Sequence, residues 1–391
     1  MLNVNMEYMA LVFILFSFLM DSGGDFGLRL VGLTVMSILI FKNLIKGKFF
    51  KKIIINHEAT ALYFVMCLSF FPGLIVSFIN GVDIFDSVKW FVSFYFAILI
   101  LILFLDFEIK KIIDATILAG VFYGLAQLII LLLLFVDSEL VLSATGYLQS
   151  NARGWIVFKD TFGVTHPYVY LQSTLSIVPI AVLALHHGKL NSFFFLALIL
   201  MLAQSRFGIF ILVIFSCSFY LKSRVIDLMF ISLVYCIPLF MLLLVFYVVA
   251  ADYNPMLYIE TSGMDVRVGH LLSIAKNEDA LKILFGFGPG SLYFTVGVDD
   301  FVDNIEVSQL EYIRKYGIVG LIMFFPPLYF LLKKLYSDKG SRLLVMSICS
   351  MFFVALSNPV LISMTFSWLL AAVLYSLYEN SDNEVAMQSL L

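Results

Sequence analysis

Long apolar stretches separated by short polar connections run through almost the whole chain. A helix that crosses a bilayer needs about 20 apolar residues, and fewer where it lines a cavity. The pattern therefore predicts an all-α polytopic membrane protein of about 12 transmembrane helices. The candidate spans cover residues 6–21, 28–41, 59–79, 88–105, 112–136, 168–186, 192–204, 207–221, 225–250, 312–332, 343–356 and 360–378.

Composition supports this interpretation. The 391 residues are 62% hydrophobic and 13% charged, with a mean hydropathy of +1.02, whereas soluble domains carry about 25% charged residues. Cys67, Cys217, Cys236 and Cys349 each lie in an apolar run, so we expect buried thiols, no disulfide and no metal site. The first run lacks a basic leader and a cleavage site, which favours a membrane span over a signal peptide.

Positive charge predicts the orientation. The connection from Lys42 to Lys52 carries five lysines, which places it in the cytoplasm because short cytoplasmic loops are enriched in Lys and Arg. Because successive spans cross the membrane in opposite directions, loops 106–111, 186–191, 222–224 and 333–342 are predicted on the same side. The chain forms a single membrane domain, residues 1–391, and both termini are expected to be cytoplasmic.

Two long segments fall on the outer side, 137–167 and 251–311, and we expect them to form a helical cap over a cavity. In the second, Ser262 to Asp265 has capping-box spacing that predicts a helix over 263–276. A second helix is predicted over 279–285, followed by a tight turn at Gly286–Gly290. This turn is compatible with a simple change of direction, since it lacks the strand, the helix and the lysine of nucleotide-binding glycine loops.

The outer side also carries unusual cations. Arg206 lies in a three-residue turn between two short spans, where it must be paired with a carboxylate or hold an anionic ligand. Arg267 and His270 are three residues apart and share a helix face. His166 precedes Pro167, which suits the first turn of the next span. The acidic run 299–303 is either a solvated face or a loose metal-binding stretch.

The residue types narrow the chemistry. The chain has no HExxH motif, no Cys/His cluster and no arrangement of a nucleophile with a base. Arginine forks bind phosphate oxygens bidentately, and a carboxylate or histidine nearby could deprotonate a hydroxyl group. Few charges lie within the spans, which disfavours an ion-coupled carrier.

Four stretches, taken in order, resemble the Wzy-type O-antigen polymerases and the related O-antigen ligases. The first joins Arg153-Gly154 to Phe162–Pro167, and the second is Gln204–Gly208, between two short spans. The third places Arg267 about twenty residues before Phe285–Gly290. The fourth, Leu310–Gly320, enters the span after the large loop. The ligases carry His-Asn just before this last stretch, where this chain has Glu306-Val307, and this difference favours the polymerase.

The resemblance implies a glycosyltransferase of the bacterial inner membrane that works at its periplasmic face without metal or cofactor. Donor and acceptor are glycans on undecaprenyl pyrophosphate, in contact with membrane lipid, and a chain-length regulator is the expected protein partner; no nucleic acid is involved. Candidate catalytic residues are Glu306, His166 and His270. Candidate pyrophosphate- and glycan-binding residues are Arg153, Lys159, Arg206, Arg267, Arg314, Gly288 and Gly290.

Three alternatives stay open. A ligase would use the same donor with lipid A–core as the acceptor. A polysaccharide or lipid-linked oligosaccharide transporter would need a charged central cavity, whereas the charge here is concentrated at one face. A purely structural membrane protein would not need arginines between short spans. Glu306 could also simply form an ion pair with Arg314.

Overall fold

Helices make up most of the structure, a computed structural model that describes residues 6–21, 27–46, 57–136, 154–161, 164–171, 173–250, 263–275, 280–302, 304–305, 307–337, 342–357 and 363–388, with isolated positions at 139, 141, 143, 146 and 361. Fifteen α-helices and two strand pairs are described in these ranges. In chain order they are α1 (Met6–Met20), α2 (Leu28–Ile45), α3 (His57–Leu68), α4 (Phe71–Ile79), α5 (Ile84–Phe104), α6 (Ile109–Val136), β1 (Gly154–Thr161), β2 (Val164–Leu171), α7 (Ile177–His186), α8 (Leu190–Leu202), α9 (Arg206–Leu221), α10 (Arg224–Ala250), α11 (Gly263–Ala275), α12 (Ala280–Phe285), β3 (Tyr293–Thr295), β4 (Asp300–Val302), α13 (Ser308–Ser337), α14 (Arg342–Val354) and α15 (Met364–Gln388).

Several helices are apolar and long enough to cross a membrane, so the prediction of a helical membrane protein is confirmed at this level. Within the described residues, five helical segments meet the length and hydropathy required: Leu28–Ile45, Glu58–Ile79, Ile109–Val136, Arg224–Tyr247 and Ser308–Ser337. Shorter apolar helices of 10–17 residues coincide with most of the other predicted spans. The number twelve and the periplasmic cap stay predictions.

Helix ends that the charge pattern assigns to one side lie next to each other. On the predicted cytoplasmic side, Lys46 at the end of α2 forms an ion pair of 3.2 Å with Asp106 after α5, and Arg342 in α14 lies 2.5 Å from Asp227 in α10. On the predicted outer side, the Ser308 amide donates to the Ala355 carbonyl at 2.9 Å. Helix ends predicted to lie on one side therefore contact each other, and the orientation in the membrane stays a prediction.

The prediction of an all-helical chain is wrong for two segments. Residues 154–161 and 164–171, predicted to end the first outer segment and begin a span, form the antiparallel strand pair β1–β2, which we call the β1–β2 hairpin and in which Pro167 pairs with Phe158. The following helix, α7, begins only at Ile177, so the predicted span 168–186 starts too early. Aromatic and β-branched residues are frequent here and favour a strand, but their continuous apolar runs resemble a membrane span. The second strand pair, β3–β4, lies in the second outer segment.

The cysteine prediction is half right. Cys67 and Cys349 are buried, whereas Cys217 and Cys236 are exposed on the surfaces of α9 and α10. Both exposed residues lie on helices whose outer faces are rich in exposed Phe, Leu and Val. An apolar run in a membrane helix therefore predicts an apolar environment but does not decide between a neighbouring helix and lipid.

Candidate functional site

The glycine turn packs against the helix that follows the large outer loop. Gly286, Gly288 and Gly290 all have positive φ angles, of 80°, 86° and 80°, which only glycine adopts at little cost. A Cβ atom on Gly286 would lie 2.3 Å from the carbonyl carbon of Lys315. The turn is therefore built for close approach of two backbones.

A break in helix α13 explains this contact. Gly317 has φ 63° and ψ −163°, which is outside the helical region, so carbonyl groups before it lose helical partners. The Phe287 amide donates to the Arg314 carbonyl at 2.7 Å, and the Gly288 amide donates to the Lys315 carbonyl at 3.1 Å. Since unpaired backbone groups are costly away from water, the turn stabilises the broken helix.

Helix α4 holds the opposite side of the turn. The Ser77 hydroxyl donates to the Pro289 carbonyl at 2.7 Å, and the Asn80 amide donates to the Phe287 carbonyl at 3.2 Å. A Cβ atom on Gly288 would lie 2.6 Å from the Ser77 amide nitrogen. The close packing of the turn against α4 thus explains why position 288 is a glycine, and contact with the Asp86–Ser87 backbone explains the glycine at position 290. The binding roles predicted for Gly288 and Gly290 stay predictions.

Three charged side chains are buried beside the turn. The Arg314 guanidinium donates to both oxygens of Glu311, at 2.7 Å and 2.8 Å, and to the Ser291 carbonyl at 3.2 Å. The ammonium group of Lys315 lies 2.6 Å from the same carboxylate. Glu311 and Arg314 are 4% and 0% exposed, so one carboxylate balances two buried cations, and the trio carries a net charge of +1.

Glu311 is the residue that the sequence prediction missed. It lies three residues before Arg314 and four before Lys315, the spacing at which helical side chains meet. The sequence offered Glu306 as a base or, alternatively, as a partner of Arg314, and Glu306 lies outside the described residues. Because Glu311 and Ser291 occupy its fork, Arg314 serves to fix the loop against the helix.

A short path of contacts connects this trio to His270. The Arg314 guanidinium lies 4.5 Å from the centre of the Tyr293 ring, and burial raises the pKa of Tyr293, which keeps its hydroxyl protonated. Two residues further along β3, the Thr295 hydroxyl lies 2.7 Å from Nδ1 of the buried His270. His270 therefore joins α11 to β3, and Arg267 lies one turn earlier on α11, partly exposed.

Arg206 lies elsewhere on the bundle. It is the first residue of α9 and is exposed, and Ser205 caps this helix by accepting from the Gly208 amide at 3.3 Å. Helix α9 packs against α7, α8 and α14, whereas α11 packs against α10 and β3. The described contacts do not bring Arg206 and Arg267 together, and their convergence stays a prediction.

A shallow apolar groove of about 10 Å³ lies close to Arg206 in the chain. Its lining includes Gln127 from α6, Val169 from β2, and Leu202 and Ala203 just before the turn that carries Arg206. The Gln127 amide donates to the Thr174 hydroxyl at 2.6 Å, while its oxygen has no hydrogen-bond partner among the described residues. The groove is almost entirely apolar, and its space is about that of a single water molecule.

The other candidates are only partly described. Arg153 lies outside the described residues. Lys159, a predicted binding residue, and His166, a predicted catalytic residue, lie directly opposite each other on the two strands of the β1–β2 hairpin. Among the described residues there is no group of three or more His, Cys, Asp or Glu side chains that could hold a metal ion.

Comparison of the chain with protein-family models, with curated proteins and with solved structures finds no match in any of the three.

Proposed function

We propose that this protein is a surface-polysaccharide polymerase that joins glycans carried on undecaprenyl pyrophosphate at the outer face of a bacterial inner membrane. A hydroxyl group of the acceptor unit attacks the anomeric carbon of the donor glycan. The bond from that carbon to the pyrophosphate oxygen breaks, and its electron pair leaves with undecaprenyl pyrophosphate. The hydroxyl proton passes to a base of the protein.

One observation carries the proposal. Phe285–Gly290 and Leu310–Gly320, two of the four stretches that resemble the polymerases, form a single unit in which the turn pairs with the broken helix. The unit buries a trio with a net charge of +1 on the side predicted to face the periplasm. A fixed positive charge behind an outer surface favours binding of an anionic headgroup.

The remaining roles follow from residue chemistry. Arg153, Arg206 and Arg267 would bind the pyrophosphate, because arginine forks match phosphate oxygens and stabilise the charge of the leaving group. Glu306 would act as the base, with His166 as the alternative. His270 is less suited, because its Nδ1 already contacts Thr295 inside the cap.

The proposal is tested by deleting the gene and restoring it on a plasmid, with surface glycan separated by size. A polymerase predicts single-unit product in the deletion strain and a ladder of lengths after complementation. Loss of all transfer to lipid A–core, with long glycan still accumulating on the lipid carrier, would identify a ligase. Loss of every outer-side glycan, with units retained in the cytoplasmic leaflet, would identify a transporter.

A further inference from the structure

The β3–β4 hairpin has an unusual distribution of apolar residues. Phe294 and Phe301 are cross-strand partners whose rings meet edge to face at 5.6 Å. They are 45% and 63% exposed, and Leu292, just before β3, is 65% exposed. A hairpin that faces water on one side normally carries polar residues there. We refer to Leu292, Phe294 and Phe301 as the apolar hairpin face.

This hairpin is anchored rigidly to the outer end of the helical bundle. The Pro289 carbonyl accepts from Ser77 of α4, and Gly290 lies against the Asp86–Ser87 backbone of α5, where an added Cβ atom would be 3.0 Å from Asp86. Leu292 follows two residues later. The buried face of β3 is fixed as well, because Tyr293 contacts Arg314. The apolar hairpin face therefore starts where α4 ends and α5 begins.

The neighbouring helix ends are apolar and exposed in the same way. Phe78 and Ile79 close α4, and Ile84 and Phe85 open α5, all four with most of their surface exposed. Helix α4 ends the apolar segment Glu58–Ile79, which is long enough to cross a membrane, and exposed apolar residues on such a segment are covered by lipid. The apolar hairpin face continues this surface, while Asp299 and Asp300 are exposed at the hairpin tip.

We propose that the apolar hairpin face rests on the outer leaflet of the bilayer, with Phe294 and Phe301 at the boundary between headgroups and acyl chains. Segments that lie at a membrane interface bury Phe and Leu side chains at this depth, and burying two phenylalanines there stabilises the position of the hairpin. The aspartates of the tip stay in water. The membrane thereby holds β3, and through Tyr293 it holds the buried Arg314, at a fixed height above the lipid. This inference does not depend on the reaction that the protein catalyses.

Spin labelling of the full chain in phospholipid vesicles tests the proposal. Cys217 and Cys236 are replaced by alanine, and Phe294→Cys and Phe301→Cys are labelled one at a time. Asp300→Cys is the matched control, from the same strand as Phe301. The relaxation of each spin label is then measured with oxygen, which concentrates in hydrocarbon, and separately with a water-soluble nickel chelate. Leu292→Cys replaces either variant that does not elute like the wild type.

The expected result is that oxygen relaxes the labels at positions 294 and 301 several times more strongly than the nickel chelate does, while the order reverses at position 300. Stronger relaxation by the nickel chelate at both phenylalanine positions would place the face in water and overturn the proposal. Weak relaxation by both agents at these positions would show that protein covers the face, in a second copy or a partner, and would overturn it equally.

Discussion

At the scale of single residues, Glu311 decides the charge balance of the candidate site. Its carboxylate lies between Arg314 and Lys315, and all three side chains are buried. Removing one partner of a buried ion pair leaves a charge without compensation, which costs about 3–5 kcal/mol. Two cations share this one carboxylate, so its loss affects both.

Glu311→Gln should therefore lower the thermal stability of the purified protein strongly, and we expect a loss of about 3–5 kcal/mol. Glu108→Gln is the matched control, because Glu108 pairs with Lys111 at 3.7 Å in an exposed (i, i+3) arrangement and should cost no more than about 1 kcal/mol. Thermal unfolding in detergent compares the two variants. Equal melting temperatures would show that the buried trio does not stabilise the fold.

In the proposed function, Glu306 is the residue expected to act as the general base. A general base contributes roughly 10²–10⁴-fold to a rate, and Glu306→Gln keeps the size of the side chain while removing its basicity. We expect this variant to accumulate normally and to leave only single-unit product on a glycan gel. Full-length polymer from Glu306→Gln, together with its loss in His166→Ala or His270→Ala, would assign the base to a histidine.

At the scale of elements, the unit formed by the glycine turn and the broken helix α13 is central. Gly317 needs its positive φ angle, and an added Cβ atom would also lie 2.4 Å from the Leu284 carbonyl oxygen. Gly81 has a similar φ angle of 71° but open space around it. Gly81 therefore gives a reference for a positive φ angle without a clash, whereas Gly317 combines a clash with a ψ angle of −163° that essentially only glycine adopts.

Gly81→Ala should cost about 1–3 kcal/mol from strain alone, and Gly317→Ala should cost clearly more, because α12 must move away from α13. Yield and melting temperature of the two purified variants measure this difference. If both variants have the same melting temperature, the close packing of the turn against α13 does not contribute to stability.

The elements show which signals in the sequence are reliable. Capping-box spacing predicted a helix over 263–276, and the structure has Gly263–Ala275. The hairpin at 154–171 was missed because its residues are apolar enough to extend the predicted span, although their types favour a strand. The pairing of Arg314 with Glu311 was visible as helical spacing, but the contact between the glycine turn and Gly317 joins distant positions and leaves no local signal.

At the scale of the whole molecule, the predicted orientation rests on the five lysines between Lys42 and Lys52. We expect a single cysteine at Asp300 to react with a membrane-impermeant reagent added outside intact cells. A single cysteine at Gly47 should react only after the membrane is opened. The reverse pattern would invert the topology and would remove the outer-side arginines from the candidate site.

The central claim is that the protein itself forms the glycosidic bond between lipid-linked units. Purified protein in vesicles, supplied only with undecaprenyl-pyrophosphate-linked repeat units, tests it most directly. We predict a ladder of longer glycans with release of one undecaprenyl pyrophosphate for each bond formed, and no ladder with Glu306→Gln. Repeat units that stay single in the presence of well-folded wild-type protein would contradict the account.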